Sequence, residues 1–349
     1  MRQSVAVHAP TLFELRPSPP PRRPPARVVR RTGPPVRRGP TLLAVDGDSL
    51  GHRSFHGAAA AAAEGDRRGP VHGFLALLAA VCERVGPDGV VVGFDCRDGL
   101  VRRRRFPAYK ANRPVRDPAL SVALARAEAT LRDLGVSVVA PDGWEADDVL
   151  GSAAAAAEAA GWRCVVATSD RDALALIGEV TTVLRLRSGS ANAVEVDRRA
   201  LRRELGVDPG QYVEFAALRG DAADNLRGIP GIGPARARAL LSVYPTVAAA
   251  VADPLGCRSV LGREPGQALL DDCADPSASV FLRNVELMTV RRDVPVDVDA
   301  CRPSLDARRV THRLADRGLS SVAGRLAVAL AARPAWAPPP SDADVPPDE

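Results

Sequence analysis

Residues 41–47 read TLLAVDG, a short apolar run that ends in an aspartate and a glycine. A run of this length that is apolar throughout predicts a buried strand, and the Asp46-Gly47 pair predicts a turn at its end. Three further runs have the same form, and each is followed by an acidic or turn-forming sequence: Val90–Phe94, Val136–Ala140 and Cys164–Thr168. The chain therefore contains at least four candidate buried strands.

Stretches of helical length separate these strands, at residues 71–85, 117–134 and 145–160. Alternating strands and helices, with strands apolar throughout, predict an α/β fold with a mostly parallel sheet flanked by helices. In such sheets, ligands bind beyond the carboxyl ends of the strands. Three aspartates fall at those ends: Asp46, Asp95 and Asp170. The sequence therefore predicts a group of carboxylates at one edge of the sheet.

Bulk composition restricts the class of protein. The 349 residues are 46% hydrophobic and 26% charged, which is enough to build a large core. No apolar run is long enough to cross a bilayer. The six cysteines contain no Cys-x-x-Cys pair, which favours reduced, mostly buried thiols over a zinc site or a disulfide framework. We expect a cytoplasmic protein that does not bind membranes.

The net charge of +5 is unevenly distributed. Residues 1–40 hold nine arginines and one acid, and subtracting these from the chain totals of 47 and 42 leaves 38 basic and 41 acidic residues. The basic character therefore belongs to the N-terminal segment and does not by itself predict nucleic-acid binding by the rest. Residues 1–40 are rich in arginine and proline, and residues 332–349 in proline and aspartate. We expect both to be disordered tails.

Each acidic motif also has a local structural interpretation. Glu145-Ala146-Asp147-Asp148 begins a helix, whose positive end acids stabilise. Asp170 is placed to cap the stretch after it, the segment 220–225 has the composition of a polar turn, and Asp46 and Asp95 are each placed to cap a following helix. Taken singly, each motif fits capping as well as catalysis.

If the fold brings these acids together, a catalytic role becomes favoured over helix capping alone. Two like charges 4 Å apart repel by about 4 kcal/mol at an effective dielectric of 20, so the cluster would either take up protons or recruit divalent cations. Oxygen ligands without nearby histidine or cysteine favour Mg²⁺ or Mn²⁺. Two such ions are a recurrent device for phosphodiester hydrolysis.

Six motifs, in order, resemble those of the 5′-nuclease (flap endonuclease) superfamily, and specifically the 5′→3′ exonuclease domain of bacterial DNA polymerase I. They are LLAVDGDSLGHRSF (42–55), GFDCRDGLVRRRRFPAYKANR (93–113), DGWEADDVLG (142–151), TSDRDALAL (168–176), GDAADNLRGIPGIGPARARALL (220–241) and NVELMTVRRD (284–293). The resemblance implies a catalytic α/β domain of the PIN/5′-nuclease type over 41–205, with a helical arch near 100–120. It also implies a helical DNA-binding region with a helix–hairpin–helix unit over 206–331.

The resemblance assigns roles to the acids by position. It implies that two metal ions are held by nine carboxylates: Asp46, Asp95, Glu145, Asp147, Asp148, Asp170, Asp172, Asp221 and Asp224. Asp48 departs from the family pattern, since asparagine is usual there, and adds a charge near Asp46. Ser169 stands where glycine is usual, and Leu226-Arg227 varies the turn after Asn225. None of these departures removes a ligand.

The resemblance also assigns cationic and DNA-binding residues. Lys110, the only lysine beside 46 arginines, and Arg113 are implied to contact the scissile phosphate. The implied DNA contacts are Arg102, Arg103, Arg104, Arg105, Tyr109, Gly228, Gly231, Ile232 and Gly233. A solvated basic helix face is the alternative for the arginine run, and core packing is the alternative for Tyr109. The glycine loop is implied to grip duplex DNA through a bound K⁺.

Together these observations predict a structure-dependent 5′→3′ exonuclease or flap endonuclease that uses two Mg²⁺ or Mn²⁺ ions. Its expected substrates are DNA flaps, nicks and 5′ ends, which arise in replication and repair. We expect the protein to act as a monomer, alongside a separate DNA polymerase. Two other functions remain open: a catalytically weak flap-binding accessory protein and an RNA-directed nuclease. A phosphatase built on Asp46-Gly47-Asp48 would leave the other acids unexplained.

Overall fold

The structure of the protein, a computed structural model, describes residues 39–63, 69–187 and 193–331. The terminal segments 1–38 and 332–349, where we predict disordered tails, lie outside the described residues. The main sheet has six strands in the order β3-β2-β1-β4-β5-β6. They are β1 Thr41–Asp46, β2 Gly89–Gly93, β3 Ser137–Val139, β4 Arg163–Thr168, β5 Thr181–Arg185 and β6 Val194–Val196.

The sheet is mostly parallel, as the sequence predicts. The central strand β1 pairs in parallel with β2 on one side and with β4 on the other, so strand order reverses beside it. The additional strand β5 is parallel to β4, and the edge strand β6 is antiparallel to β5. Such a reversal point is where open α/β sheets bind ligands.

Alternating residues of β1 face two different cores. Leu42 and Ala44 belong to the core on one face of the sheet, and Leu43 and Val45 belong to the core on the other. All four are fully buried. A strand buried on both faces reads as a continuous apolar run, which is why TLLAV shows no polar alternation.

Fourteen α-helices occur in the described parts of the chain. They are α1 Gly47–Ala63, α2 Pro70–Val85, α3 Val101–Arg105, α4 Pro118–Asp133, α5 Ala146–Ala159, α6 Arg198–Leu205, α7 Tyr212–Arg219, α8 Pro234–Val243, α9 Val247–Val251, α10 Pro254–Leu261, α11 Arg263–Ala274, α12 Val280–Met288, α13 Ala307–Asp316 and α14 Ser320–Ala329. The predicted helical stretches 71–85, 117–134 and 145–160 correspond to α2, α4 and α5 within two residues at each end.

Local capping explains where these helices begin and end. Helix α2 begins at a proline, which fits the first turn, and ends at Gly86, whose φ of 62° is the left-handed conformation that glycine adopts readily. At the start of α5, Glu145 and Asp148 each accept a hydrogen bond from the other's backbone N–H. This capping box fixes the N-terminal turn of α5.

The predicted arch region, which connects β2 to α4, contains the five-residue helix α3 followed by turns. Its backbone is fixed at two places. Val101 N donates to Gly143 O (2.8 Å), and Lys110 N donates to Asp224 O (2.9 Å). The segment therefore spans from the loop before α5 to the loop after α7.

The last two helices return to the sheet. Our prediction placed residues 206–331 in one helical region, but α14 packs against α2 and α13 packs against α14, and both helices belong to the core on the second face of the sheet. Arg325 forms a two-point ion pair with Glu83 of α2 (both distances 2.6 Å). The helical region that they follow, α7–α12, packs instead with the core on the first face.

No helix in the described residues is long and apolar enough to cross a membrane. All six cysteines are described and none is in a disulfide; four of them are buried. The burial of four of the six agrees with the prediction of mostly buried thiols.

Candidate functional site

An open cleft of about 710 Å³ lies at the carboxyl ends of β1, β2 and β4. Six of its lining residues are aspartates that come from separate parts of the sequence: Asp46, Asp48, Asp95, Asp147, Asp170 and Asp221. Five of these were predicted as metal ligands, and the sixth is Asp48. The structure therefore brings together acids that are up to 175 residues apart in the sequence.

Local hydrogen bonds hold several of these acids. Asp46 Oδ1 accepts from Ser49 N (2.8 Å), Asp170 Oδ1 accepts from Asp172 N (3.0 Å), and Asp221 Oδ1 accepts from Ala223 N (2.8 Å). These are the capping and turn contacts that the alternative interpretation predicts. Because the same side chains line the cleft, capping and a role in the site are compatible here.

Longer-range hydrogen bonds tie the strand ends to each other. Asp95 N donates to Asp48 Oδ2 (2.8 Å), and Asp95 Oδ1 accepts from Ala146 N at the start of α5 (3.0 Å). Thr168, the last residue of β4, donates to Asp46 Oδ2 (2.7 Å) and is fully buried. Thr168 was not predicted; its signal is a hydroxyl at the end of an otherwise apolar run.

Burial and mutual repulsion change the titration of the acids. Burial raises the pKa of Asp46 to about 7, and repulsion from Asp95 and Asp48 adds to this shift. Burial, followed by repulsion from Asp95, raises the pKa of Asp48 to about 6. These three acids therefore form one electrostatically connected group.

A second group surrounds Asp172. Burial raises the pKa of Asp172 to about 7, and repulsion from Asp170, Asp221 and Asp224 contributes. Asp147 connects the two groups: burial raises the pKa of Asp147 well above its ordinary value, and both Asp46 and Asp170 add repulsion. The acids thus form one continuous cluster with Asp147 at its centre.

The donor set fits divalent cations. Asp147 Oδ1 is buried and has no hydrogen-bond partner among the described residues, which is unfavourable unless another group satisfies it. In the described residues, no three His, Cys, Asp or Glu side chains are arranged closely enough to hold a metal ion as they stand. Carboxylate oxygens under mutual repulsion are nevertheless the ligands that Mg²⁺ and Mn²⁺ prefer.

Asp148 does not line the cleft, although it was predicted as a ligand. It is fully buried, and both of its carboxylate oxygens face Arg102 (2.6 and 2.7 Å). The same oxygens accept from the backbone N–H groups of Glu145 (3.0 Å) and Arg291 (2.9 Å). Although burial opposes it, this pairing holds the pKa of Asp148 below its usual value. These contacts fix the start of α5.

Three cations from the arch region reach the cleft; we call Lys110, Arg113 and Arg116 the arch cations. Each of them is paired with acids. Lys110 Nζ forms an ion pair with Glu145 and lies 3.7 Å from Asp224 Oδ2, and Arg113 lies 2.6 Å from Asp224 Oδ1. Although burial opposes it, the attraction of Glu145 and Asp224 raises the pKa of Lys110 well above its ordinary value.

The backbone of Lys110 is unusual. Lys110 (φ 54°) and Asn225 (φ 59°) are the non-glycine residues with positive φ in the described parts of the chain. Few non-glycine residues adopt this conformation, and such residues concentrate at functional sites. They lie on adjoining segments, since Lys110 N donates to Asp224 O and Asn225 Nδ2 donates to Ala108 O (2.8 Å). The turn that presents Lys110 is thus held by the loop that carries Asp224.

The predicted DNA contacts of the arch divide into two kinds. Arg103, Arg104 and Arg105 are exposed, and Arg105 pairs with Glu286. Arg102, in contrast, is buried against Asp148 and donates to Thr289 O (3.0 Å). Arg102 is therefore not placed to contact DNA.

Tyr109 is also buried. It packs with Leu226 and Leu287, and its hydroxyl donates to Glu145 Oε2 (3.1 Å). The packing alternative that the sequence left open is therefore the one observed, and no face of this ring is available for stacking on a base.

The glycine loop lies between α7 and α8. Gly231 (φ 76°) and Gly233 are exposed, and Gly233 immediately precedes α8. A side chain at Gly228 would meet the Arg219 backbone at 2.3 Å, so only glycine fits there. Ile232 is buried in the core, and its backbone N–H donates to Ile229 O (3.0 Å), so Ile232 is not placed to contact DNA as predicted.

Several cleft residues were not predicted. Arg116, Arg53, Arg171 and Arg219 all line it, together with His52. The available signal was proximity, since Arg171 follows Asp170, Arg219 precedes Gly220-Asp221, and Arg116 follows Arg113 by three residues. In an arginine-rich chain, that signal does not separate these residues from the rest.

Comparison with known proteins agrees with this geometry. A family model described as 5′-3′ exonuclease, N-terminal resolvase-like domain, matches residues 41–206, and one described as 5′-3′ exonuclease, C-terminal SAM fold, matches residues 207–309. DNA polymerase I of Mycobacterium tuberculosis (strain ATCC 25618 / H37Rv) is 34% identical over 287 residues, covering 80% of this chain and 30% of that protein. DNA polymerase I of Pseudomonas aeruginosa is 31% identical over 262 residues, covering 74% of this chain and 28% of that protein.

The chain thus spans about 30% of the length of these relatives. Solved structures show the same fold. The T5 D15 protein co-crystallized with metal ions has a TM-score of 0.57 at 20% identity, covering 83% of this chain and 99% of that one. The catalytic core of Rad2 in complex with DNA substrate has a TM-score of 0.52 at 16% identity, covering 83% and 93%. On the family models and the sequence identity, the chain belongs to the 5′-3′ exonuclease family.

Proposed function

We propose that this protein is a metal-dependent 5′→3′ exonuclease and flap endonuclease that hydrolyses phosphodiester bonds in DNA. The single observation that carries the proposal is the continuous carboxylate cluster centred on Asp147, at the carboxyl ends of the strands. Such a concentration of negative charge would repel the phosphate to be cleaved unless divalent cations were bound. Membership of the 5′-3′ exonuclease family supports a nuclease function for this cluster.

The acids fall into two ligand sets in this proposal. Asp46, Asp95, Glu145 and Asp147 would hold one Mg²⁺ or Mn²⁺ ion, and Asp170, Asp172, Asp221 and Asp224 would hold the other. Bound there, the ions would supply an activated water and would neutralise charge on the phosphate. The connection through Asp147, whose repulsive neighbours come from both sets, supports two adjacent sites. Asp148 would act only by fixing the start of α5.

The chain's own cations would act on the phosphate. Lys110 already lies beside Glu145 and Asp224, and Arg113 beside Asp224. Positively charged groups fixed beside a reacting phosphate stabilise the charge that develops in the transition state. We therefore assign Lys110 and Arg113 as the catalytic cations, with the exposed Arg103, Arg104 and Arg105 as contacts for the 5′ strand.

The helix–hairpin–helix unit would hold the duplex. Its exposed glycines, Gly231 and Gly233, allow a DNA backbone to approach closely at the start of α8, and a K⁺ ion bound by this loop would complete the contact. Contacts of this kind read backbone shape and not base sequence. Similarity to Rad2 in complex with DNA substrate and to a T5 D15 complex with DNA and metal ions supports a DNA substrate.

We further propose that the protein acts as a monomer in replication and repair, beside a separate DNA polymerase. The test uses the full chain with labelled 5′-flap, nicked, recessed and single-stranded DNA, in Mg²⁺, Mn²⁺ or EDTA. We expect short products released from 5′ ends with either metal and none in EDTA. Asp147→Ala should lower the rate by at least about 100-fold, whereas the exposed Asp142→Ala, which removes the same charge from the loop before α5, should not.

Two results would overturn the proposal. Flap binding without product in either metal would identify an accessory DNA-binding protein, and faster cleavage of matched RNA strands would identify an RNA-directed nuclease. Equal rates for Asp147→Ala and the wild type would remove the metal-site assignment.

A further inference from the structure

The cations that line the cleft differ in how they are paired. Each of the arch cations lies within 4 Å of one or more acids of the site. The other three arginines that line the cleft are Arg53, Arg171 and Arg219, which we call the cleft arginines. Within the described parts of the chain, none of these three forms an ion pair at that distance, although the cleft that they line holds six aspartates.

Arg219 has an unsatisfied donor. It is the last residue of α7, and its guanidinium lies 5.7 Å from the centre of the Phe215 ring. Its Nε atom is buried and has no hydrogen-bond partner among the described residues. A buried N–H without an acceptor is unfavourable and rare in folded proteins, which shows that the protein supplies few acceptors to this guanidinium. Because Arg219 also lines the cleft, it is open to a ligand with oxygen acceptors.

The neighbours of Arg171 add to the positive charge. Arg171 directly follows Asp170, and its carbonyl accepts from the Tyr212 hydroxyl (2.8 Å). Arg185, paired in register with Thr168 at the end of β4, also has a buried Nε without a partner. Burial lowers the pKa of Arg185. Repulsion from Arg171 and Arg187 lowers this pKa further, and attraction by Glu204 opposes the shift.

Arg53 connects the arginines to α1. Its Nη2 donates to the carbonyl of Arg187, just beyond the end of β5. The cleft arginines therefore come from α1, from the loop after β4 and from the end of α7, and they meet at one cleft. Because all three line one cleft and have no acidic partner within 4 Å among the described residues, they form a candidate anion site beside the carboxylate cluster.

We propose that Arg53, Arg171 and Arg219 form a phosphate-binding subsite that holds a second phosphate of the substrate strand, next to the one that is cleaved. This inference rests on the proposed nuclease function. Guanidinium groups match phosphate oxygens in a two-point geometry and keep their charge at all physiological pH values. The phosphate is either the terminal 5′-monoester or a neighbouring internal diester of the strand.

The test measures binding and does not depend on cleavage. Fluorescence anisotropy of the full chain with labelled flap DNA in EDTA compares a 5′-phosphate with a 5′-hydroxyl over a range of salt. We expect the double variant Arg171→Gln/Arg219→Gln to bind at least about 10-fold more weakly. The salt slope, which is the slope of the logarithm of the binding constant against the logarithm of salt concentration, should be smaller in magnitude by about 1 to 2. The control Arg308→Gln, an exposed arginine on α13, should bind as the wild type does.

The two phosphate sources give different patterns. A loss of affinity only for the 5′-phosphate DNA would identify the terminal monoester. An equal loss of affinity for the 5′-phosphate and 5′-hydroxyl DNA would identify an internal diester. If the double variant binds DNA with wild-type affinity and salt slope, the proposed subsite is wrong. If the double variant does not fold, the single variant Arg171→Gln, at an exposed residue, takes its place in the same measurement. If the wild-type chain binds DNA but never cleaves it, the proposed nuclease function fails while these binding results still decide the subsite.

Discussion

Arg116 Nη2 lies 3.0 Å from Asp48 Oδ1 and 3.3 Å from Asp95 Oδ2, so that one guanidinium bridges two acids of the cleft. Asp48 is the position where the family resemblance leads us to expect asparagine. Its negative charge is accompanied by an arginine from the end of the arch region. A divalent cation that binds beside Asp95 would be repelled by this guanidinium.

We therefore predict that Arg116→Gln strengthens metal binding. Removing one positive charge a few ångströms from the ion in a solvated cleft is worth about 1 kcal/mol, or about 5-fold in affinity. Isothermal titration of the metal-free protein with Mn²⁺ measures this directly. The exposed Arg126→Gln on α4 is the matched control. Weaker Mn²⁺ binding by Arg116→Gln would instead show that Arg116 holds the carboxylates in a favourable arrangement.

The acid cluster should make the metal-free protein less stable as pH rises. Burial raises the pKa of Asp46 and of Asp172 to about 7, and that of Asp48 to about 6, above the ordinary value near 4. The folded state therefore binds more protons than the unfolded state. The stability that this contributes is complete below about pH 4 and is lost as pH rises through 6 to 7. In EDTA, Tm should fall between pH 5 and pH 8, and Mg²⁺ should reduce the fall.

Asp147→Asn isolates the contribution of the central acid. We expect it to raise the Tm of the metal-free protein at pH 8 by about 2–6 °C, with a smaller effect at pH 5, because the raised pKa of Asp147 means that less of the wild-type carboxyl is ionised at lower pH. Thermal unfolding followed by circular dichroism checks both values. The control Asp142→Asn, at an exposed acid, should leave the pH dependence unchanged. A lower Tm for Asp147→Asn at pH 8 would contradict the clustering of charge around Asp147.

Lys110→Ala should affect catalysis more than DNA binding. Because Lys110 is the most buried of the arch cations, we expect its loss to reduce kcat by about 100-fold or more while flap affinity falls only a few-fold. Single-turnover cleavage and anisotropy titration provide the two measurements. Arg126→Ala controls for the loss of one positive charge. Equal losses in rate and affinity would show that Lys110 only binds substrate.

Arg102→Met should destabilise the fold. It would leave the fully buried Asp148 without its partner, and breaking a buried ion pair on one side costs about 3–5 kcal/mol. Urea unfolding measures the loss. Arg102→Lys should recover little, because an ammonium cannot reproduce the two-point contact, whereas adding Asp148→Asn should recover most of it. Full stability of Arg102→Met would refute the structural role that we assign to this pair.

The sequence predicted the strand ends well because a strand buried on both faces leaves a continuous apolar run, and Asp46 and Asp95 follow such runs directly. It did not separate Asp147 from Asp148. Adjacent residues on a helix point in directions about 100° apart, so one faces the cleft and the other faces the core. Asp148 is the one that faces the core because it pairs with Arg102. Since Arg102 lies 46 residues away in the sequence, no local pattern contains that information.

The same limit applies to the arginines. Arg102 and Arg103 are neighbours in one apparently uniform basic run, yet Arg102 is buried in an ion pair and Arg103 is exposed. The family resemblance gave the run a single role, whereas packing gives it two. Strands β5 and β6 were missed because the polar residues of TTVLR and VEV lack the continuous apolar character of central strands, as expected near a sheet edge.

The return of α13 and α14 to the sheet has a consequence for engineering. Helices α7–α12 lie in the sequence between the sheet-forming region and two helices, α13 and α14, that share the core on the second face of the sheet. Val322 and Leu326 of α14 share a core with the apolar face of α2. A fragment cut at residue 205 would expose that face. Any chimera that exchanges the α/β region must therefore transfer residues 307–331 together with residues 41–205.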